Sequence, residues 1–487
     1  MSPATLQSPP FAAADPLVFA LLSKLLPPQQ FSKDPVVDRS LRHSIFDGIT
    51  YSVMTGSAES YFSAFAILLK ATTAQVGLVA SLPPLLASFM QLFSAWLGRR
   101  TGHRRQIIVF GALVQASTLV PLTLLPLLFP DDSVLLLLIS SIVYYAGPNL
   151  GSPQWSSLMG DIVPEARRGR FFALRTQLAS VASFLALIAG GLILEFFDSL
   201  GVTYWGFVVV FAIASLARFQ SAYHLAQIHD PPGHVASLES PWHIDLWRAI
   251  RSTDLVPFSL FFASMQFAVG IASPFFTLYM LRDLKFSYAQ FMINSAASVL
   301  LQFLTLNRWG RLSDLFGNRL ILITTGAIIP IMPTLWLFST NYYYLLAVQC
   351  VSGLVWAGFS LSASNFVFDL TPPQRRATLM AAHNVLAALA VFVGAVIGGY
   401  LGTHLPNEIT LFGNTFSWLS SLYGVFLLSG LMRLAVAIGF LPRLREVRQV
   451  RPMSMTGLIF RVTRFAPVSG LIFEIVGTLR RKKNDDD

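Results

Sequence analysis

The ten residues Gly310-Arg-Leu-Ser-Asp314-Leu-Phe-Gly317-Asn-Arg319 separate two long apolar runs, Tyr288–Trp309 and Leu320–Ser339. Shifted back by 215 positions, Gly317 and Arg319 fall on Gly102 and Arg104, Gln290 on Gln75, and Arg433 on Arg218. A second motif, Asp161-x-x-Pro164-x-x-Arg167-Arg168, returns 208 positions later as Asp369-x-x-Pro372-x-x-Arg375-Arg376. The pair Gly190-Gly191 returns at the same 208-residue offset as Gly398-Gly399. Several matches at two nearly equal offsets are hard to obtain by chance, and they mark an internal duplication.

The duplicated unit is a set of apolar runs long enough to cross a bilayer. The first six are Ile45–Leu69, Val76–Leu97, Gln106–Phe129, Ser133–Met159, Phe171–Leu194 and Gly201–Tyr223. After a polar stretch come Val256–Leu281, Tyr288–Trp309, Leu320–Ser339, Tyr342–Phe368, Ala377–Leu401 and Phe416–Leu441. The expected fold is an all-α polytopic membrane protein of twelve transmembrane helices, built as two parallel pseudo-repeated six-helix bundles. Composition agrees, since the 487 residues are 54% hydrophobic and only 12% charged, about half the charge of a soluble domain. A soluble enzyme and a disordered chain are both excluded.

Lysines and arginines set the orientation. With a cytoplasmic N-terminus, all but Lys70, Arg282 and Lys285 of the 34 fall in inner loops, tails or inner span ends. Arg99, Arg100, Arg104 and Arg105 crowd one short loop, and Arg167, Arg168, Arg170 and Arg175 another. This is the positive-inside pattern, so both termini are expected in the cytoplasm and the chain in the cytoplasmic (inner) membrane. The formal charge of +10 thus reports topology and gives no argument for nucleic acid.

The expected organisation is an N-terminal cytoplasmic segment over 1–44 with a short interfacial helix at Pro16–Leu26, then a first bundle over 45–223. A central cytoplasmic loop over 224–255 follows, then a second bundle over 256–442 and a basic amphipathic tail over 443–487. Trp242–Arg251 has the pattern of an amphipathic helix on the inner membrane surface. The basic tail, ending in Arg480-Arg-Lys-Lys483 and three aspartates, would be drawn to anionic membrane lipid or stay solvated. His224, His229, His234 and His243 match no zinc spacing and no cysteine assists them, so no metal or other cofactor is expected. Cys350 is the single cysteine, which excludes an internal disulfide. No basic residue precedes the apolar Pro16–Leu26 stretch, unlike a cleaved signal peptide.

The Gly310–Arg319 loop resembles the signature loop of the major facilitator superfamily, G-x-x-x-D-[RK]-x-G-x-[RK], at the place where that family carries its second copy. Pro164 to Arg170 resembles the run that commonly follows the fourth span in the same family, and the resemblance covers about residues 40–445. It implies a conformational latch at Gly310, Asp314, Gly317 and Arg319, with Gly102 and Arg104 as their first-half counterparts. The first copy departs from the pattern, having Ala95 and Arg99 where the family has glycine and aspartate. An acidic latch cannot form there, and Asp161 or Glu165 is expected to act with opposite polarity. Asp47, Asp161, Arg168, Asp369 and Arg376, near inner span ends, are expected gate or cap residues. Span four also lacks the arginine, and span five the Gly-x-x-x-Gly-Pro motif, of many proton-coupled drug exporters.

A charge within a span costs at least ~2.5 kcal/mol on insertion scales and usually faces an aqueous cavity or a partner. Glu59 is the best case, with Ser52, Thr55, Gly56 and Ser63 at helical spacing beside it. Span seven offers Gln266, Gly270, Ser273 and Thr277, span four Asn149, Ser152 and Ser156, and span ten Ser362, Asn365 and Asp369. Spacing alone leaves two readings for these small polar stripes: path lining, or helix contacts within lipid. The resemblance implies the first, since those four spans line the family's central cavity. Glu59 is expected to accept protons or bind substrate, unless it lies close enough to the outer surface to be hydrated. Arg218 and Arg433 are explained by snorkelling to the headgroups. Tyr144, Tyr145, Trp155 and Trp356 offer either packing or an aromatic surface for substrate. Gly147-Pro148 and Ser152-Pro153 are expected to break span four.

The expected activity is therefore secondary transport of a small-molecule substrate by alternating access, coupled to a proton, in a monomeric protein. Two other classes stay open. One is a transporter-like sensor or assembly factor, supported by the degraded first loop. The other is a membrane-embedded lipid enzyme, which finds no Ser-His-Asp set and no phosphate-cradling loop in the sequence.

Overall fold

The computed structural model describes residues 31–164, 167–231, 255–371, 376–406, 408–411, 414–417, 419–444, 446 and 458. The interfacial helix expected at Pro16–Leu26, the helix at Trp242–Arg251, Glu165 and nearly all of the C-terminal tail lie outside these residues.

The described chain divides into two compact units, residues 1–71 with 82–239 and residues 72–81 with 240–487. Helix α1 (Pro35–Ser57) starts where Asp34 caps it, its carboxylate accepting from Val36 N at 2.8 Å, with Pro35 in the first turn. A 3₁₀ turn at Glu59–Tyr61 leads to α2 (Phe62–Leu68). Helices α3 (Thr73–Thr101), α4 (Arg104–Leu128), α5 (Ser133–Ile162), α6 (Arg168–Ser199) and α7 (Thr203–Ala226) complete the first series.

The second series runs through α8 (Leu255–Gly270), α9 (Phe275–Leu278), a π turn at Tyr279–Asp283, and α10 (Tyr288–Phe316). It continues with α11 (Asn318–Ile328), α12 (Ile331–Leu335), α13 (Tyr342–Leu370), α14 (Arg376–His404) and α15 (Leu422–Phe440). Eleven helical segments among the described residues are long and apolar enough to cross a membrane. The first apolar run, Ile45–Leu69, is not among them, and its helix is divided at Ser57–Glu59. The one β element described is a hairpin, Glu408–Leu411 paired antiparallel with Asn414–Ser417, in the link between α14 and α15.

Duplication is visible in the packing. Helix α1 lies against α6, and α8 against α14, the equivalent pair of the second unit. Close approach needs missing side chains, and glycine supplies them. At Gly56 a Cβ would collide with the Ser183 carbonyl of α6. At Gly270 it would stand 3.0 Å from the Val391 Cα of α14. The prolines of α5 do not break it, and the helix runs through both Pro148 and Pro153. Its neighbour α4 approaches so closely at Gly111 and Gly147 that each Cβ would strike the other's carbonyl. That packing holds the segment in place despite two lost backbone donors.

Candidate functional site

The divided first helix builds the site. Tyr61 pins the 3₁₀ turn by donating its hydroxyl to the Leu187 carbonyl at 2.5 Å. Gly190 makes room for the Tyr61 ring, since a Cβ there would sit 2.8 Å from it. The turn directs Glu59 toward α5, where the Tyr144 hydroxyl donates to Oε1 at 3.2 Å and also contacts the Met54 sulfur. Asp47, Tyr51 one four-residue step on and Glu59 three steps on thereby line a single cavity of about 440 Å³. Tyr145, Asn149, Ser152 and Trp155 of α5, Arg175 of α6 and Arg218 of α7 line it too.

Charge inside this unit is concentrated and compensated. Arg175 meets Asp47 at 3.0 Å, donates from Nε to the Ser44 carbonyl at 3.0 Å, and lies 4.5 Å over the Trp155 ring. Arg218 stands 4.0 Å from the other Asp47 oxygen, which accepts from Ser221 Oγ at 2.7 Å. It also donates to Gln115 at 2.7 Å and to Ser221 at 2.5 Å, with its guanidinium 4.8 Å over Tyr51. Asp47 is 3% exposed and Arg218 5%, so the charges stay only because each has a partner. The snorkelling expected of Arg218 does not occur: its side chain turns into the bundle toward Asp47 and Gln115.

The second unit holds a smaller cavity of about 190 Å³ at the equivalent place. The 215-residue offset carries Asp47 onto Phe262 and Tyr51 onto Gln266, and the 208-residue offset carries Ser152 onto Ser360 and Arg175 onto His383. Where the first unit has an ion pair, the second has a ring contact, Phe262 against His383 at 4.9 Å. His383 Nδ1 is bonded to Ser259 Oγ at 2.9 Å, and Trp356 lines the same space.

Arg433, the counterpart of Arg218, is 2% exposed, and its Nε has no hydrogen-bond partner among the described residues. It does not snorkel either. The contrast predicts opposite signs on neutralisation. Arg433→Met should raise thermal stability in detergent, by roughly 1–4 kcal/mol, because a buried charge with no ion-pair partner among the described residues is replaced by apolar volume. Arg218→Met should lower it, because Asp47 and Gln115 lose a partner.

Of the other residues singled out by sequence, Asn149 lies on the first cavity, where Gln91 donates to it at 2.7 Å, and Gln266 lies on the second. Ser52, Thr55, Ser63 and Ser156 do not line the first cavity. Ser52 is buried on the face of α1 that carries Gly56, Thr55 bonds the Ser52 carbonyl at 3.0 Å, and Ser156 bonds the Ser152 carbonyl at 3.0 Å. Ser63 is on α2 and Thr277 on α9. Ser362 is fully buried, and its Oγ has no hydrogen-bond partner among the described residues.

The signature loop forms a separate cluster. Gly317 ends α10 at φ +85, a conformation that glycine adopts without the Cβ penalty, and Gly102 sits at φ +65. Behind the loop, Asn318 accepts from Ser313 at 2.5 Å and donates to Asp369 at 3.2 Å, while Asn365 reaches Ser313 at 3.3 Å. Asp314 is exposed, and Gly310 has Leu361 as its nearest neighbour. The Arg319 backbone N–H donates to Glu446 at 2.8 Å, and its Nε to the Leu444 carbonyl at 2.6 Å. In the first unit Arg104 bridges Asp161 at 2.6 Å and Asp230 at 2.7 Å, and Arg168 bonds the Gly160 carbonyl at 3.0 Å. The side chains of Arg99 and Arg376 lie outside the described residues.

Tyr51 and Arg175 are site residues that sequence reasoning missed. Arg175 counted only toward topology, and Asp47 only as an inner-end gate residue. The four-residue period Asp47, Tyr51, Glu59 was the available signal. Among the described residues no three His, Cys, Asp or Glu side chains are grouped to hold a metal. His43 and His224 pair through their Nδ1 atoms at 2.9 Å.

Known proteins resemble this arrangement at several levels. The chain is 30% identical over 120 residues to mouse (Mus musculus) major facilitator superfamily domain-containing protein 10, a match spanning 25% of this chain and 26% of that protein. The D-xylose-proton symporter superposes with a TM-score of 0.64 at 14% identity, covering 85% of this chain and 99% of that one. The nucleoside transporter NupG gives 0.60 at 15% identity, covering 85% and 100%. A bacterial homologue of the iron transporter ferroportin gives 0.60 at 14%, covering 83% and 98%. At such identities these structures share the fold. The family model of the Major Facilitator Superfamily matches the chain twice, at residues 48–269 and 258–473. With one match on each copy of the internal repeat, the chain belongs to the Major Facilitator Superfamily and is an integral membrane transporter, not an enzyme.

Proposed function

We propose that the protein moves a small-molecule substrate by alternating access, coupled to protons through Glu59, with the cavity of the first unit as a substrate site. The observation that carries this reading is the placement of Glu59. A carboxylate at a helix break, on the wall of a 440 Å³ cavity and bonded by one tyrosine hydroxyl, is positioned to exchange a proton. The Asp47–Arg175–Arg218 cluster lines the same cavity. In this reading Gly310, Asp314, Gly317 and Arg319 with Asn318, Asn365 and Asp369 work as the gate of one bundle. Arg104 and Asp161 do so in the other. The termini face the cytoplasm, the bundles span 45–223 and 256–442, and the working unit is a monomer in the inner membrane.

Proteoliposomes loaded with a pH-sensitive dye and exposed to a metabolite library test it. Compounds that are transported should acidify the lumen as they enter, and nigericin, which dissipates the pH gradient, should abolish their accumulation. Accumulation that survives nigericin unchanged would remove the proton from the mechanism.

A further inference from the structure

We propose that the substrate of the first-unit cavity is an organic monoanion with an aromatic or apolar body, taken up when Glu59 carries a proton. This rests on the reading of Glu59 as the group that titrates during the cycle, and it adds the charge of what is carried.

The basis is a charge balance on a cavity wall whose charged groups are largely buried, Asp47 at 3% and Arg218 at 5% exposed. The cavity wall holds two carboxylates, Asp47 and Glu59, and two guanidinium groups, Arg175 and Arg218. Asp47 is taken, since it is 3.0 Å from Arg175, 4.0 Å from Arg218, and accepts from Ser221 at 2.7 Å. Glu59 is the other acid. The groups facing it are Tyr51 from α1, Tyr144 and Tyr145 from α5, and Arg218 from α7. None of the three phenols supplies a positive charge to hold the carboxylate ionised, and Arg218 is shared with Asp47.

With Glu59 ionised the wall is neutral, and with Glu59 protonated it is +1. Inside a low-dielectric site one uncompensated charge is costly, and the matching ligand is one negative charge. A cationic substrate would instead enter against two guanidinium groups. A neutral one would leave the protonated state uncompensated.

The rest of the wall describes the remainder of the ligand. Tyr145, Trp155 and Pro148 give an apolar and aromatic surface, and Asn149 and Ser152 give hydrogen bonds. The second unit shows the same excess of positive charge by an independent route. Arg433 is 2% exposed and its Nε has no hydrogen-bond partner among the described residues, while the acid that serves its counterpart Arg218 is replaced by Phe262. A protein that moved cations would have no use for a buried arginine without an acid at the equivalent position.

The test is equilibrium binding to the purified full-length protein in detergent. The probes are sets sharing one body: 3-phenylpropionate, 3-phenylpropanamide and 3-phenylpropylamine, and the same triplets built on indole and naphthalene. Carboxylates should bind and their amides and amines should not. Carboxylate affinity should rise roughly tenfold per pH unit of acidification over the range where Glu59 takes up its proton, as one-to-one linkage requires. Glu59→Gln, which fixes the protonated charge state, should bind the carboxylates at the low-pH affinity at every pH.

The proposal fails if amines or amides bind as well as the acids, or if no carboxylate of the panel binds at millimolar concentration. It also fails if carboxylate affinity is flat with pH in the wild type, a readout that stands even if the variant does not fold. Binding is measured without a gradient. Nigericin-resistant accumulation together with pH-linked carboxylate binding would therefore sink proton drive and leave the monoanion in place.

Discussion

Glu59→Gln is expected to abolish proton-driven accumulation, a loss of about a hundredfold in the internal-to-external ratio under a gradient of about 2 pH units. Two pH units store about 2.7 kcal/mol per proton, which is a factor of about 100 in concentration when one proton moves with each substrate. The amide keeps the size of the carboxyl group and still offers an oxygen to the Tyr144 hydroxyl, now 3.2 Å from Oε1. Stability should consequently stay within about 1 kcal/mol of wild type, since no cavity is opened and the Tyr144 hydroxyl keeps its acceptor. Exchange of labelled for unlabelled substrate across the membrane needs no net proton movement and should persist. Loss of uptake with retained exchange therefore isolates coupling from binding. Undiminished accumulation by the variant would place the coupling proton elsewhere.

Asp47→Asn is expected to destabilise the first unit by about 3–5 kcal/mol, the cost of leaving buried charge without its partner. Two arginines depend on this one carboxylate, Arg175 at 3.0 Å and Arg218 at 4.0 Å, and it is only 3% exposed. The asparagine would still accept from Ser221, but its amide nitrogen cannot accept from Arg175, so the loss combines the charge with one hydrogen bond. Removing one of the stranded cations in the same background, Asp47→Asn with Arg175→Gln, should recover part of the loss and give a clear coupling energy.

The signature-loop bridge makes a useful contrast. Arg104 pairs with Asp161, whose side chain is 43% exposed, and with Asp230 at 21%. Those carboxylates are partly open to water while the Arg104 side chain is 3% exposed, so solvent screens the bridge from one side only. Thermal unfolding in detergent reads all of these changes. A loss below about 1 kcal/mol for Asp47→Asn would mean that cavity water solvates the two arginines.

The sequence alone determined the all-helical membrane class, the internal duplication and the loop that resembles the family signature. Each of these is local or periodic information. A span is a continuous apolar run, a repeat is an offset, and Gly317 is needed wherever the chain turns at φ +85. Glu59 was legible for the same reason, since a lone carboxylate in an apolar run stands out against its immediate neighbours. On α1, spacing groups Ser52, Thr55 and Gly56 with Glu59, and the structure puts Asp47 and Tyr51 on the cavity with it. Ser52 and Gly56 form as good a stripe on paper as Asp47, Tyr51 and Glu59, and only contact with α6 at Ser183 shows which face is packed.

What tertiary structure decided is who partners whom. Asp47 and Arg175 are 128 positions apart, and Arg218 and Gln115 are 103 apart. No local pattern distinguishes a buried arginine in an ion pair from one that snorkels to lipid. The duplication itself told only half the story. It aligned Arg218 with Arg433, and only the fold revealed that one arginine is buried beside an acid and the other, among the described residues, without one. Electrostatic compensation acts through space at a few ångströms, and the chain reaches those distances only after its helices have packed.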